Sequence, residues 1–332
     1  MKKNLSRRVL ALMLAMLTVI ITAAFAGCTK TATEGGNEAA TTAGENEAEN
    51  VTEESQSEAE TEATEEAGPI IVQTNPYFAP FEYFSEDAEI VGVDPDIMAK
   101  VGEKLGRAVE FVNVEFEVII PNVASGKICD CGAAGITITE ARKEQVDFSI
   151  PYFTSVQYVI YPEGTLEPAG QTVEGDNYVL WDQLAGLKIG VQRDTTGDIY
   201  VSDEINCSEE NGDSFTGVLY GTDATSAQFD NAQLATDACG ANQIDVVVID
   251  KLPAAYIVAK NEGYECAALY YAGGEGEEDC PTSEDYAIAV NKDQPELLEA
   301  INEVLTEMLV VNDETGTSEV EALVAKHFGI DG

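Results

Sequence analysis

The chain is 332 residues long and carries 61 acidic against 17 basic side chains, a formal charge of −44. Such a surface repels nucleic acid and anionic membrane and argues against a phosphate-binding role, while the length suffices for two domains of ordinary size. With one histidine, His327, and no zinc-type spacing of its cysteines, the sequence offers no metal centre and implies no cofactor.

Lys2, Lys3, Arg7 and Arg8 precede an apolar run from Val9 to Ala26, broken only by Thr18 and Thr22, which closes on Phe25-Ala26-Gly27-Cys28. Basic residues, an apolar run and small residues before a cysteine form a secretory signal over residues 1–27. The alternative is an uncleaved membrane helix, since the run approaches the roughly 18–20 apolar residues that span a bilayer. Ala26-Gly27-Cys28 resembles a bacterial lipobox, which implies cleavage before Cys28 and a lipid on its sulfur; Phe25 stands where such boxes usually carry leucine. From Thr29 to Gly68 there are twelve glutamates, one lysine and no aromatic residue. A segment so poor in apolar surface does not fold alone. Residues 28–68 are therefore expected to be a lipidated cysteine and an acidic tether reaching about 35 Å or more. Residues 69–332 keep a charge of −37.

Beyond the tether, short β-rich runs alternate with helical patterns, the signature of an α/β fold with parallel sheets. Ile70–Thr74 reads as a strand and Asp94–Gly106 as a helix ended by glycine. Ala108–Val114 reads as a strand, Glu117–Lys127 as a short helix and Ile128–Gly135 as a third strand. "VQYVIY", after Pro151, is a strand at a change of domain. "LKIGVQ", a helix within Ala227–Cys239 and the strand Ile244–Asp250 continue the alternation, which ends with "YAIAV" and the helix Pro295–Val310. Six cysteines follow Cys28, allowing fifteen pairings if all six join. Cys129 and Cys131, two apart on a strand, are expected to be free buried thiols; Cys207 with Cys239 and Cys266 with Cys280 are the expected pairs.

Three strands lead into polar groups at their C-terminal edges, at Gly135 to Arg142, at Arg193 to Thr196, and at Asp250. Ligands of open α/β sheets bind at such edges. In "AAGITITEARKEQVDF" a cation, Arg142, sits in the first turn of a helix, where the dipole favours anions. A free α-amino acid would suit the set. Arg142 can fork onto its carboxylate, Thr137 and Thr195 can add donors at helix starts, and Asp250 can take its ammonium. Taken singly, Arg142 reads first as an exposed helix cation, and Asp250 is ambiguous with a cap of the next helix. Phe78, in "PYFAPFEY", and Phe116 can wall a pocket, whereas Phe81 reads as core.

"APFEYFSEDAEIVGVDPDIMAKVGEKLG", "AAGITITEARKEQVDFSIPYF", "LAGLKIGVQRDTTGD", "IDVVVIDKLPAAY" and "YAIAVNKDQPELLEAINEVL" together resemble, in order, the landmarks of family 3 bacterial solute-binding proteins, the polar amino-acid receptors of ABC importers. The resemblance implies a two-lobed periplasmic-binding-protein-like fold of type II, with two hinge strands and the ligand in the interlobe cleft. Its expected parts are lobe 1 at 69–155 plus 285–332 and lobe 2 at 156–284. It implies that Phe78 and Phe116 flank the ligand side chain, that Gly135, Thr137 and Arg142 bind the α-carboxylate with help from Thr195, and that Asp250 binds the α-ammonium. Asn75 stands where receptors for basic amino acids carry aspartate, which argues against arginine or lysine and for a polar or small neutral amino acid. The family's usual glycine before Thr195 is Asp194 here, preceded by Arg193.

The expectation is thus a monomeric, lipid-anchored, extracytoplasmic receptor on a Gram-positive surface or in a periplasm. It captures a free amino acid, hands it to the ABC permease membrane subunits, performs no catalysis and binds no nucleic acid. The alternatives are a cyclohexadienyl-dehydratase-like enzyme on the same fold, in which Asp250 would donate a proton, and a ligand-sensing receptor.

Overall fold

The computed structural model describes residues 68–210, 213–274 and 276–329; the leader, Cys28 and the tether up to residue 67 lie outside the described residues. Val- and Ile-rich runs pair into two main sheets. In the first, the strand order is Val109–Asn113, Ile70–Thr74, Cys131–Gly132, Ala289–Val290, Asp147–Phe148. Its first three strands are parallel and Ala289–Val290 runs antiparallel to both neighbours. In the second, Thr225–Phe229, Lys188–Gln192 and Val246–Asp250 are parallel. Phe153–Pro162 then runs antiparallel between Val246–Asp250 and Tyr264–Tyr271. Every residue of Val246–Asp250 is buried, as expected of a strand covered on both faces.

Two strands carry the chain between the sheets. Phe153–Val156, the first part of the strand Phe153–Pro162, pairs antiparallel with Ser283–Tyr286, from Phe153 opposite Tyr286 to Val156 opposite Ser283. The chain leaves the first sheet by the former and returns by the latter, so the α/β fold has two lobes.

The helix Val93–Leu105 begins with Asp94 and Asp96 in its first turn, which suits the helix dipole, and ends at Gly106 in the left-handed conformation. Its buried Val93, Ile97, Met98 and Val101 share a core with Leu297, Ile301 and Leu305 of the helix Pro295–Met308. Each such side chain contributes about 1.5–3 kcal/mol by leaving water. A second core gathers Trp181, Ile189, Val191, Val246, Val248 and Leu269.

Three local expectations change. The strand expected over Ile128–Gly135 is reduced to Cys131–Gly132. Ile128 is exposed, and the Asp130 carboxylate is drawn aside to accept from Ile71 N and Gln294 Nε2. The helix expected within Ala227–Cys239 occupies Ala232–Gly240, because Thr225–Phe229 is claimed as a strand by Lys188–Gln192 and Asn231 caps the helix start, accepting from Leu234 N at 2.9 Å. The six described cysteines are all free. Cys280 lies opposite Tyr271, five positions along the strand from Cys266, about 16 Å at strand rise and too far to bridge. Cys207 is exposed, whereas Cys239 is buried and its Sγ donates to Asp245 O.

Candidate functional site

The C-terminal ends of Ile70–Thr74 and Cys131–Gly132 in one lobe face those of Lys188–Gln192 and Val246–Asp250 in the other. Between them lies a nearly filled cavity of about 10 Å³, room for roughly one water. It is lined by Asn75, Phe78, Glu82, Phe116, Ala134, Gly135, Thr137, Gln192, Thr195, Thr196 and Asp250. Seven of the eight residues expected to form the site are among these. The eighth, Arg142, is outside the lining and bridges the lobes just beside it.

Arg142 is carried by the short helix Glu140–Lys143, whose start Thr139 caps by accepting from Arg142 N at 3.2 Å. The arginine is 8% exposed, with its guanidinium 5.5 Å from the Phe116 ring centroid. Nη1 donates to Thr137 O at 2.8 Å, and Nη2 donates across the cleft to Asp194 O at 2.9 Å. Burial pushes the guanidinium below its ordinary pKa, while Glu284, Asp194 and Asp250 oppose that shift. Asp194 adopts φ 58, the left-handed conformation that aspartate tolerates better than most residues.

Further hydrogen bonds cross the cleft. Gln192 Nε2 donates to Asn75 Oδ1 at 3.0 Å, Thr196 Oγ1 to Thr137 Oγ1 at 2.6 Å, and Arg193 Nη1 to Glu117 at 3.1 Å. Arg193 also reaches Asp230 at 3.2 Å. Asn75 is held from its own side by Nδ2 donating to Val114 O. Thr195 caps the helix Thr196–Ile205 by accepting from Asp198 N at 3.4 Å, and its hydroxyl donates to Gln192 O at 2.7 Å. Gly135 has φ 54, and a Cβ there would come within 2.8 Å of the Phe78 ring, so glycine permits both the turn and the close approach.

Carboxyl groups crowd the inner end of the cleft. Asp250 is buried at the end of its strand and accepts from Tyr286 OH. Its pKa is raised by burial and then by Glu284, which itself accepts from Thr137 Oγ1 at 2.6 Å and from Gln157 Nε2. Glu82 is 1% exposed, and burial followed by Asp94 and Asp250 pushes its carboxyl well up. Asp94 accepts from Gly135 N at 3.0 Å and Tyr152 OH at 2.6 Å and is raised to about 6, chiefly by burial.

Sequence reasoning missed Glu82, Ala134, Gln192 and Thr196 in the lining, and Glu284 and Gln157 behind it. Gln192 and Thr196 flank the strand-to-helix turn that singled out Thr195. Glu82 lies in "PYFAPFEY", weighed only for its aromatic residues, and it adds a buried carboxyl group to the cavity wall. Phe81 is core, as its reading had it, with no exposure and an edge-on contact to Tyr286. His327 is largely buried, its Nε2 2.9 Å from Asp96 and its Nδ1 3.2 Å from Tyr83 OH, and it is not among the residues that line the cavity.

Two sheets linked by two strands, with a polar cavity where they face each other, define a two-lobed ligand-capture protein. The chain belongs to the bacterial extracellular solute-binding proteins, family 3, whose model matches residues 70–329. It is 28% identical over 264 residues to a probable histidine-binding protein of Neisseria gonorrhoeae, a match spanning 79% of this chain and 83% of that relative. Among solved structures, an ancestral arginine-binding protein bound to arginine is 32% identical with a TM-score of 0.61, over 79% of this chain and 99% of that one. An ancestral arginine-binding protein bound to glutamine is 33% identical with a TM-score of 0.58, over the same shares.

Proposed function

We propose that the protein captures a free amino acid between its lobes and delivers it to the membrane subunits of an ABC importer. Arg142 carries this reading. It is a buried guanidinium whose two hydrogen bonds go to neutral carbonyls, one in each lobe, so its charge is left to an anion. In this reading the α-carboxylate takes the place of the Asp194 and Thr137 carbonyls on Arg142, with Gly135, Thr137 and Thr195 around it. Asp250 takes the α-ammonium, Phe78 and Phe116 flank the side chain, and Asn75 lies alongside. The relatives named for histidine and arginine, and the glutamine-bound structure, support the α-amino and α-carboxylate groups as the shared part of the ligand.

Closure is the working motion, with lobe 1 at 69–155 and 285–332, lobe 2 at 156–284, and the paired strands through Phe153–Val156 and Ser283–Tyr286 as hinges. The receptor acts as a monomer, lipid-anchored at Cys28 outside the cytoplasm, and catalyses nothing. The raised pKa of Asp250, pushed up first by burial, is the feature that favours a dehydratase-like enzyme instead. A thermal-shift screen of ligand-stripped protein against amino acids and ring carboxylic acids separates the two. A ligand at a hundredfold excess over Kd adds about 2.7 kcal/mol of stability. The capture reading expects α-amino acids to raise the midpoint; a response confined to deaminated carboxylates overturns it.

A further inference from the structure

Outside the cavity a second contact joins the lobes, and the inference drawn from it rests on the capture by closure proposed above. Tyr256 lies on the helix Lys251–Lys260, which follows the strand Val246–Asp250 of the second sheet. Its ring centroid stands 6.1 Å from that of Tyr83 and 6.3 Å from that of Phe328, tilted to the first and edge-on to the second. Both partners belong to the first lobe. Tyr83 sits on the short strand Glu82–Phe84, and the residues before it are tied to the helix Val93–Leu105 by Val93 N and Asp94 N donating to Pro80 O and Phe81 O. Phe328 ends the helix Glu319–Phe328, which packs on that same helix. One ring of the second lobe is thus held between two of the first, in geometries that aromatic pairs favour.

Each side fixes its own ring. His327 Nε2 lies 2.9 Å from Asp96 and its Nδ1 3.2 Å from Tyr83 OH. The Asp96 carboxylate, which Lys326 also reaches at 2.8 Å, can only accept, so in the neutral imidazole Nε2 donates to it and Nδ1 accepts from the Tyr83 hydroxyl. Across the contact, Lys260 Nζ lies 3.9 Å from the Tyr256 ring centroid, a cation–π contact from the same helix. Both sides also begin at the ligand cavity. Glu82 lines it, and Tyr83, the next residue of that strand, points to the opposite face. Asp250 lines it too and starts the helix of Tyr256, about 9 Å further along the axis. A ligand that draws Asp250 toward the first lobe therefore brings Tyr256 onto Tyr83 and Phe328.

We propose that Tyr256, Tyr83 and Phe328 form a clasp that holds the closed form from outside the cavity, with His327 and Asp96 as positioning residues for Tyr83. The clasp touches no ligand. It acts on the population of the closed form, and apparent affinity scales with the population of the form that binds tightly. Its loss weakens every amino acid the site accepts by the same factor and leaves their order unchanged. Because the rings meet only on closure, after encounter, the factor falls mainly on the release rate.

The test is calorimetry and stopped-flow release on the intact protein with arginine, histidine and glutamine as probes. Tyr256→Ala should weaken each probe that binds by about tenfold and speed its release to match. Tyr83→Ala should do likewise, and the double variant should lose less than the product of the two factors. His327→Ala should give part of the loss, and His327→Gln, which keeps a donor for Asp96 and an acceptor for Tyr83, should restore it; this pair carries the test if Tyr256→Ala does not fold. Hydrogen exchange of the ligand-free chain gives a readout that needs no probe. Segments 133–142 and 192–198, which meet across the cleft through Arg142 with Asp194 and Thr196 with Thr137, should exchange faster in Tyr256→Ala. Losses that multiply in the double variant, a change in the order of the probes, or affinity and exchange that do not move overturn the proposal. Absence of heat from all three probes would overturn the capture reading instead, while exchange still reports on the clasp.

Discussion

Replacing Gly135 with alanine tests how tightly the cavity wall is determined. The residue has φ 54, and its new Cβ would lie 2.8 Å from Phe78 Cε1 and 3.1 Å from Cδ1. A left-handed alanine costs about 1–2 kcal/mol relative to glycine. The Phe78 ring cannot retreat freely, because Phe81 stands 6.0 Å and Tyr286 6.2 Å from its centroid; overpacking of this kind costs about 1–3 kcal/mol. Together these predict a loss of about 2–5 kcal/mol in urea unfolding of the empty protein. The same displacement should weaken Gly135 N donating to Asp94 and lower amino-acid affinity by about tenfold or more in calorimetry, since about 1.4 kcal/mol is a factor of ten. A change below about 0.5 kcal/mol, the size of an ordinary surface substitution, with unchanged affinity would refute the packing argument.

The Asp94 carboxyl, ordinarily near 3.8, is raised to about 6. The folded state therefore binds its proton more tightly than the unfolded state, and this favours folding fully below about 3.8 and is lost as pH rises through about 6. The loss amounts to about 3 kcal/mol. The stability of Asp94→Asn minus that of wild type should accordingly grow by about that amount between pH 4 and 7; parallel stability curves would contradict it. Arg193→Ala removes the cross-cleft pair with Glu117, which is partly exposed, so ligand should bind about twofold to fivefold more weakly, less so at high salt. An equal effect at high and low salt would show that the pair acts by other means. Asn231→Ala removes a helix cap and should cost about 1 kcal/mol of stability with ligand affinity unchanged; a fall in affinity would tie that helix to the cleft.

Much of the fold was legible because strand and helix periods alternate along the chain, and the strands that end in Gln192 and Asp250 announce their edges by a shift to polar residues. The site was legible where chemistry is unusual for its place, as with Arg142 in a first helical turn. Glu82 was not. Phe81 and Glu82 are adjacent and both buried, so the alternation that sorts inward from outward residues in a strand gives no answer there. Thr196, rather than Thr195, reaches Thr137, because the direction of a hydroxyl at a helix start depends on where the opposite lobe stands. The cysteine pairs failed for a related reason. Spacing in sequence does not tell that Cys266 and Cys280 sit at different heights on neighbouring strands.

The central claim, that Arg142 and Asp250 recognise the two charged groups of a free amino acid, is tested most directly by measuring the affinity of one bound amino acid against its decarboxylated and its deaminated analogues. Loss of a charge-assisted, buried pair costs about 3 kcal/mol or more, so each analogue should bind at least about a hundredfold more weakly. In Arg142→Ala the penalty for removing the carboxylate should disappear. If the decarboxylated amine binds wild-type protein as tightly as the amino acid, Arg142 does not hold a carboxylate and the account is wrong.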